Sequence, residues 1–373
     1  MLAAASLVAL KAQDRLSPYV GETFWSVKDR EAIEWDVRAE RRLPHSDHIE
    51  MAGRKVAAII DYEVDADRSL SVKRTVIYPQ LQVFLDTDSP SWGMYRAYLK
   101  REYTDDALPV LLVDELRYRL GPLQRARIDG TLNFRHEAAS GIQVERTFLP
   151  AMEDRLLAEV WNVSNVSDSA KAVELLPARS ERVEKGAEGS FRLRTRAVGL
   201  EAAKTLAPGQ TLSFAVYFEA LAEGEQPVDI AVSEVVGQRE DFLSKMRENL
   251  VLRTPDPVID SLFYFSKIRA AESIYDSKLG LVHSPGGGNY YVGVWANDQA
   301  EYSGPFFPYL GYGPGNEAAL NAYLTFLDNL PEDEGKIFSS FEMEGDLTCC
   351  SKDRGDAAML AFGASQFALA RGD

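Results

Sequence analysis

The chain has 373 residues, 46% of them hydrophobic and 26% charged, the make-up of a soluble globular protein with room for two domains. A net charge of −16 argues against nucleic acid or anionic membrane as a partner, since both call for basic patches. No stretch reaches the ~18 apolar residues of a membrane span. The two cysteines, Cys349 and Cys350, are adjacent. Neighbours bridge only with strain and are too few to hold a metal, so they read as a packed apolar pair.

The first residues, MLAAASLVALKAQ, have the apolar run and small-residue end of a secretory signal peptide, with cleavage expected after Ala12. The basic start of such a peptide is missing, and a frayed N-terminal helix is the alternative. Export predicts a periplasmic or secreted protein.

From 19 to 237 the pattern predicts β-structure. Gly53 to Asp67 and Ser69 to Tyr78 read as a hairpin, and further short alternating runs follow between Gly, Pro, Asp and Ser clusters. Many short strands with turns between them predict a large β-sandwich. His45, Asp47 and His48 sit close together, but their spacing matches no metal motif, and no metal or cofactor is expected. Asn162 and Asn165 both fit the N-glycosylation acceptor pattern, which chance also produces.

Residues 238–254 switch to helical period, with Phe242, Leu243, Met246 and Leu250 on one face. The break at TPDP marks a domain boundary, with Asp256 as N-cap and Pro257 as first helical residue. Beyond it, residues 255–373 predict helices with long loops: Pro257 to Ser277, Gly315 to Leu330, and a third near Gly355. Three helices with apolar faces cannot close a core by themselves.

The long connection Leu281 to Leu310 holds Gly286, Gly287 and Gly288, then Trp295, Asn297, Asp298, Gln299, Glu301 and Tyr302. A loop of that length is functional or disordered, and its aromatics argue against disorder. Aromatic faces, amides and carboxylates are what a sugar ring needs, so it reads as the floor of a carbohydrate site. A second rich loop carries Glu342, Glu344, Asp346, Asp353 and Asp356.

The domain order, the helix ending at Ser277, the Trp295-Ala296-Asn297-Asp298 turn and the Gly355-Asp356-Ala357-Ala358 helix start together resemble the six-hairpin glycosidases. That resemblance is to α-L-rhamnosidase-like and debranching-type enzymes. It implies a β-supersandwich followed by the first hairpins of an (α/α)6 toroid. A full toroid needs about twelve helices of the usual length, so the chain reads as truncated, with one catalytic carboxylate expected beyond residue 373. Helices lacking their partners would leave the C-terminal part unstable.

Glycoside hydrolysis uses two carboxyls, about 5 Å apart in retaining enzymes and roughly 6.5–9.5 Å in inverting ones. The resemblance implies Glu301 as general acid. Asp298 suits sugar hydroxyls or acid catalysis beside Trp295, with Asn297, Tyr302, Glu342, Glu344 and Asp353 as further substrate-binding candidates. Against this, Asp353 is equally a helix N-cap and Asp356 a first-turn acid. Phe306, Phe307 and Tyr309 read as core rather than sugar platform. A phosphorylase of the same architecture and a non-catalytic carbohydrate-binding fragment stay open. The two rich loops are expected to converge on one concave surface.

Overall fold

The computed structural model describes residues 24–40, 42–85, 94–176, 180–199, 203–285, 292–330, 337–345, 348–351 and 354–372. The first half is β-structure and the rest is mainly helical, as the periodicities predict. A nine-stranded antiparallel sheet runs in the order Ser26–Asp29, Ala32–Asp36, Leu123–Ile128, Leu132–His136, Ile142–Pro150, Leu156–Asn165, Thr211–Leu221, Gly189–Val198, Ser180–Gly186. One four-stranded sheet runs His45–Ala52, Ala57–Val64, Leu70–Gln82, Tyr98–Tyr103; the other runs Ala203–Leu206, Lys171–Leu176, Val110–Val113, Leu116–Arg117.

These sheets form a sandwich because their alternating rows face one another. In Ile142–Pro150 every second side chain from Ile142 to Phe148 points inward. Tyr62 of the smaller sheet meets Phe134 of the large one edge-on at 5.2 Å, and Tyr103 meets Phe218 at 4.8 Å. The alternation also buries Arg146, and with it Arg74 and Glu159. Arg146 and Arg74 both donate to buried Glu159 and to Asp105 at the edge of the core, so two buried cations are closed by two anions. Burial opposes the charge on Asp105, but Arg146 and Arg74 beside it hold its carboxyl below the ordinary range.

Helix α1, Val232–Glu248, begins six residues before the predicted change of period, so residues 232–237 are not β-structure. Helix α2, Pro257–Glu272, starts as expected, with Asp256 accepting from the Val258 N–H at 2.9 Å. It does not reach Ser277. Ile274–Ser277 instead forms a hairpin with Gly280–His283, whose register buries Ile274 and Tyr275 and leaves Asp276 and Ser277 half-exposed. Buried Arg239 on α1 fastens the two halves: it donates to the Gly130 carbonyl of the large sheet and pairs with Glu272 on α2. Lys267 on α2 donates to the carbonyls of Met246 and Asn249 that end α1.

The stretch Leu281 to Leu310 is not one loop. Residues 286–291, including the triple glycine, lie outside the described residues. A strand, Gly293–Trp295, then leads directly into helix α3, made of Ala296–Asp298, a π turn over Gln299–Ser303, and Gly304–Leu310. The helix runs on through Pro305 and Pro308. The π turn widens the coil where Pro305 would otherwise clash four residues back. Helices α4, Gly313–Asp328, and α5, Arg354–Arg371, match expectation closely.

Candidate functional site

The site is built on a three-stranded sheet of Gly293–Trp295, Phe338–Glu342 and Thr348–Ser351. Its register pairs Gly293 with Glu342, Val294 with Phe341 and Trp295 with Ser340. Alternation puts Trp295, Ser340 and Glu342 on one face, and Val294 and Phe341 on the other, where both are buried in an apolar cluster.

Tyr95, from a turn of the sandwich, covers the first face. Its ring lies 5.6 Å from that of Trp295 at 32°, and its hydroxyl shares a 2.7 Å hydrogen bond with Ser340 Oγ. Gly293 permits this approach, since a Cβ there would meet the Tyr95 ring at 2.4 Å. Burial pushes the Tyr95 hydroxyl up to about 12 against the Ser340 hydrogen bond, and the Glu342 charge adds to the rise. Tyr95 is thus a protonated phenol at neutral pH. Glu342 is 1% exposed, and one of its carboxylate oxygens accepts the Glu344 N–H at 3.1 Å.

Trp295 is also the N-cap residue of α3. Asp298 follows in the first turn, where the helix dipole favours an acid. It is half-buried, and its Oδ1 accepts the Tyr302 hydroxyl at 2.6 Å. The π turn between them is held by two donors to one carbonyl: the Gly304 N–H and the Tyr323 hydroxyl, at 3.0 Å, both reach Gln299 O. A Cβ at Gly304 would meet that hydroxyl at 2.2 Å, so the residue there is glycine. On the inner side, Gln299 donates to the His283 carbonyl at 3.1 Å and accepts from Ser303 Oγ at 3.0 Å. Phe307 lies edge-on to His283 at 5.5 Å. Burial pushes His283 down to about 3 despite the Gln299 contact, so its imidazole is neutral and packs rather than titrates.

The predicted residues therefore separate into groups. Trp295 and Glu342 share a face, and Asp298 and Tyr302 are joined one turn further on. Asn297 and Glu301 are exposed to solvent. Glu344 turns away, its carboxylate accepting the Lys278 N–H at 2.9 Å beside a different cavity. Asp353 and Asp346 lie outside the described residues. Asp356 sits buried in the first turn of α5. That helix packs behind the site: Leu360 joins Val294 and Ala296 in one apolar cluster, and a Cβ on Gly363 would meet Ala300 at 2.4 Å. Phe307 is core as expected, whereas Tyr309 is 68% exposed because it falls on the outer side of α3.

Two partners escaped the sequence. Tyr95 and Ser340 carry no motif, and the available signal was the aromatic-rich run Trp92, Tyr95, Tyr98 interrupting the strands. One acceptor motif is corrected. Asn165 is fully buried, its amide donating to Ser169 O and Leu206 O at 2.8 Å, so it is a structural turn residue and not a glycan acceptor.

No family model and no curated protein matches the chain. Among solved structures, one that it resembles is a bacterial glucoamylase complexed with acarbose, at 11% identity and a TM-score of 0.32. The likeness covers 82% of this chain and 54% of that one, so the chain spans about half the length of that structure. A likeness so loose leaves the chemistry to be argued from the residues. Among the described residues, no helix is long and apolar enough to cross a membrane.

Proposed function

We propose that the rim of this sheet, where half-buried Trp295 lies next to Asp298 and Tyr302 over the buried Ser340 and Glu342, binds a saccharide, and that the protein is a glycoside hydrolase acting on an oligo- or polysaccharide. One observation carries the reading: a large aromatic ring, two hydroxyls and a buried carboxylate converge on one small sheet, with Asp298 and Tyr302 in the next turn. In this reading Trp295 stacks on the apolar face of a sugar ring and Asp298 holds its hydroxyls. In the same reading Glu301, exposed on the π turn, serves as general acid to the glycosidic oxygen.

The exposed apolar side chains of α4 and α5 support the finer reading that residues 255–373 belong to an (α/α)6 toroid. Residues 19–237 would be its sandwich domain and 238–254 the linker. The apolar run at the start supports export to the periplasm or medium; residues 1–23 lie outside the described residues. A second reading, saccharide binding without hydrolysis, is favoured by the solvent exposure of Glu301.

Turnover of aryl glycosides by the purified protein separates the two. Glu301→Gln and Asp298→Asn are each expected to lower turnover about a hundredfold or more with melting temperature nearly unchanged. Trp295→Ala weakens saccharide binding in either reading. Intact turnover with a large loss of stability in Asp298→Asn would make Asp298 a helix-terminal acid and nothing more.

A further inference from the structure

A cavity of about 350 Å³ lies where the sandwich meets the Ile274–Ser277 hairpin. Its walls come from Gln80 and Gln82 at the end of one sandwich strand, Arg155 and Glu188 on neighbouring turns, Lys278 at the hairpin tip, and Glu344. Most of these groups are already paired. Gln80 accepts from Arg155 at 2.9 Å and donates to Asp276 O at 3.1 Å. Arg155 also pairs with Glu225, and Lys278 with Glu188 at 3.2 Å. Gln82 differs: it is 7% exposed, it lines the cavity, and its side-chain nitrogen has no hydrogen-bond partner among the described residues. A buried amide nitrogen without an acceptor is costly, so such a group points to one supplied from outside the chain.

From this geometry we infer that the cavity is a binding site for a neutral polyhydroxy ligand, such as the end of a saccharide, separate from the Trp295 face. The lining carries two cations and two anions, which cancel, so no net charge is left to select an anion or a cation. Gln82 offers a donor, Glu344 a carboxylate acceptor, and Lys278 a donor at the rim; a sugar's hydroxyls both give and accept and can meet all three. An apolar ligand would leave the Gln82 nitrogen unsatisfied. The two sites touch through one turn, because the Glu344 N–H holds the Glu342 carboxylate at the edge of the Trp295 face.

The test is calorimetric titration of the full chain with maltose, cellobiose and methyl α-glucoside as neutral probes and glucuronate as the anionic one. Wild type binds at least one neutral probe in preference to glucuronate. Gln82→Met weakens that binding about five- to tenfold, the worth of one hydrogen bond, while its melting temperature holds or rises because an unsatisfied amide has gone. Lys278→Ala, at an exposed tip, weakens it in the same direction and serves if Gln82→Met does not fold. Trp295→Ala keeps the Gln82-dependent part of the binding and loses only what its own face contributes. The inference is overturned if no neutral probe binds, if glucuronate is preferred, or if Gln82→Met binds as wild type. Binding lost in Trp295→Ala but kept in Gln82→Met also sinks it, while leaving the reading of the Trp295 face standing.

Discussion

The sandwich and the helices after residue 313 draw on similar apolar residues and finish them differently. In the sandwich, Phe134 packs against Tyr62 and Phe148, and Tyr103 against Phe218, so each inward row meets another. Helices α4 and α5 bury one side, that of Ala318, Ala319, Ala322, Tyr323, Phe326 and Leu360 among the described residues. Leu320, Leu324 and Leu327 on α4, and Phe362 and Leu369 on α5, are about half-exposed or more. A groove of about 500 Å³ between the two helices is lined by Leu320, Leu324, Leu327 and Phe367. Two facing sheets close a core, whereas a pair of helices needs further helices to do so.

The joint between the regions is the first place to press. Arg239→Ala removes the donor to the Gly130 carbonyl and leaves Glu272 buried with only Arg269 as a pair. Breaking such a buried pair is expected to cost about 3–5 kcal/mol in urea unfolding and to open a protease site near Leu252. A loss below about 1 kcal/mol would mean the halves are held by apolar contact alone.

Acid separates the regions next. Burial, reinforced by the Arg146 charge, pushes His136 down to about 4, so the folded sandwich keeps it neutral. Above pH ~6.5 both states are neutral and stability is flat. Between pH ~6.5 and ~4 the unfolded chain binds a proton that the folded one refuses, so stability is lost as pH falls, by on the order of 3 kcal/mol. His136→Gln should make that part of the stability–pH curve shallower, leaving the share of His283, which burial also holds neutral down to about 3. An unchanged slope would assign the acid sensitivity to His283 in the helical region.

The smallest effect sharpens the comparison most. Leu324→Lys, on the open face of α4, is expected to change stability by no more than about 0.5 kcal/mol, as at an ordinary surface position. A loss of about 2 kcal/mol or more would show that the face is covered in solution.

Sequence by itself determined whatever depends on neighbours along the chain. Period-two alternation marked the sandwich, Asp256 and Pro257 marked the start of α2, and the stretch holding Trp295 and Asp298 was legible by its residue types. Tertiary contacts decided the rest. Ile274–Ser277 continues a helical pattern, yet pairing with Gly280–His283 buries Tyr275 completely and makes it a strand. The helix through Pro305 depends on Tyr323, 24 residues beyond Gln299, donating to the Gln299 carbonyl. Trp295 and Glu342 share a face only because two strands far apart in sequence pair in one register, and Tyr95 reaches them from the other half of the molecule. Local sequence sets φ/ψ preference and side-chain period, but a site drawn from three segments is set by register and packing, which exist only once the chain has folded.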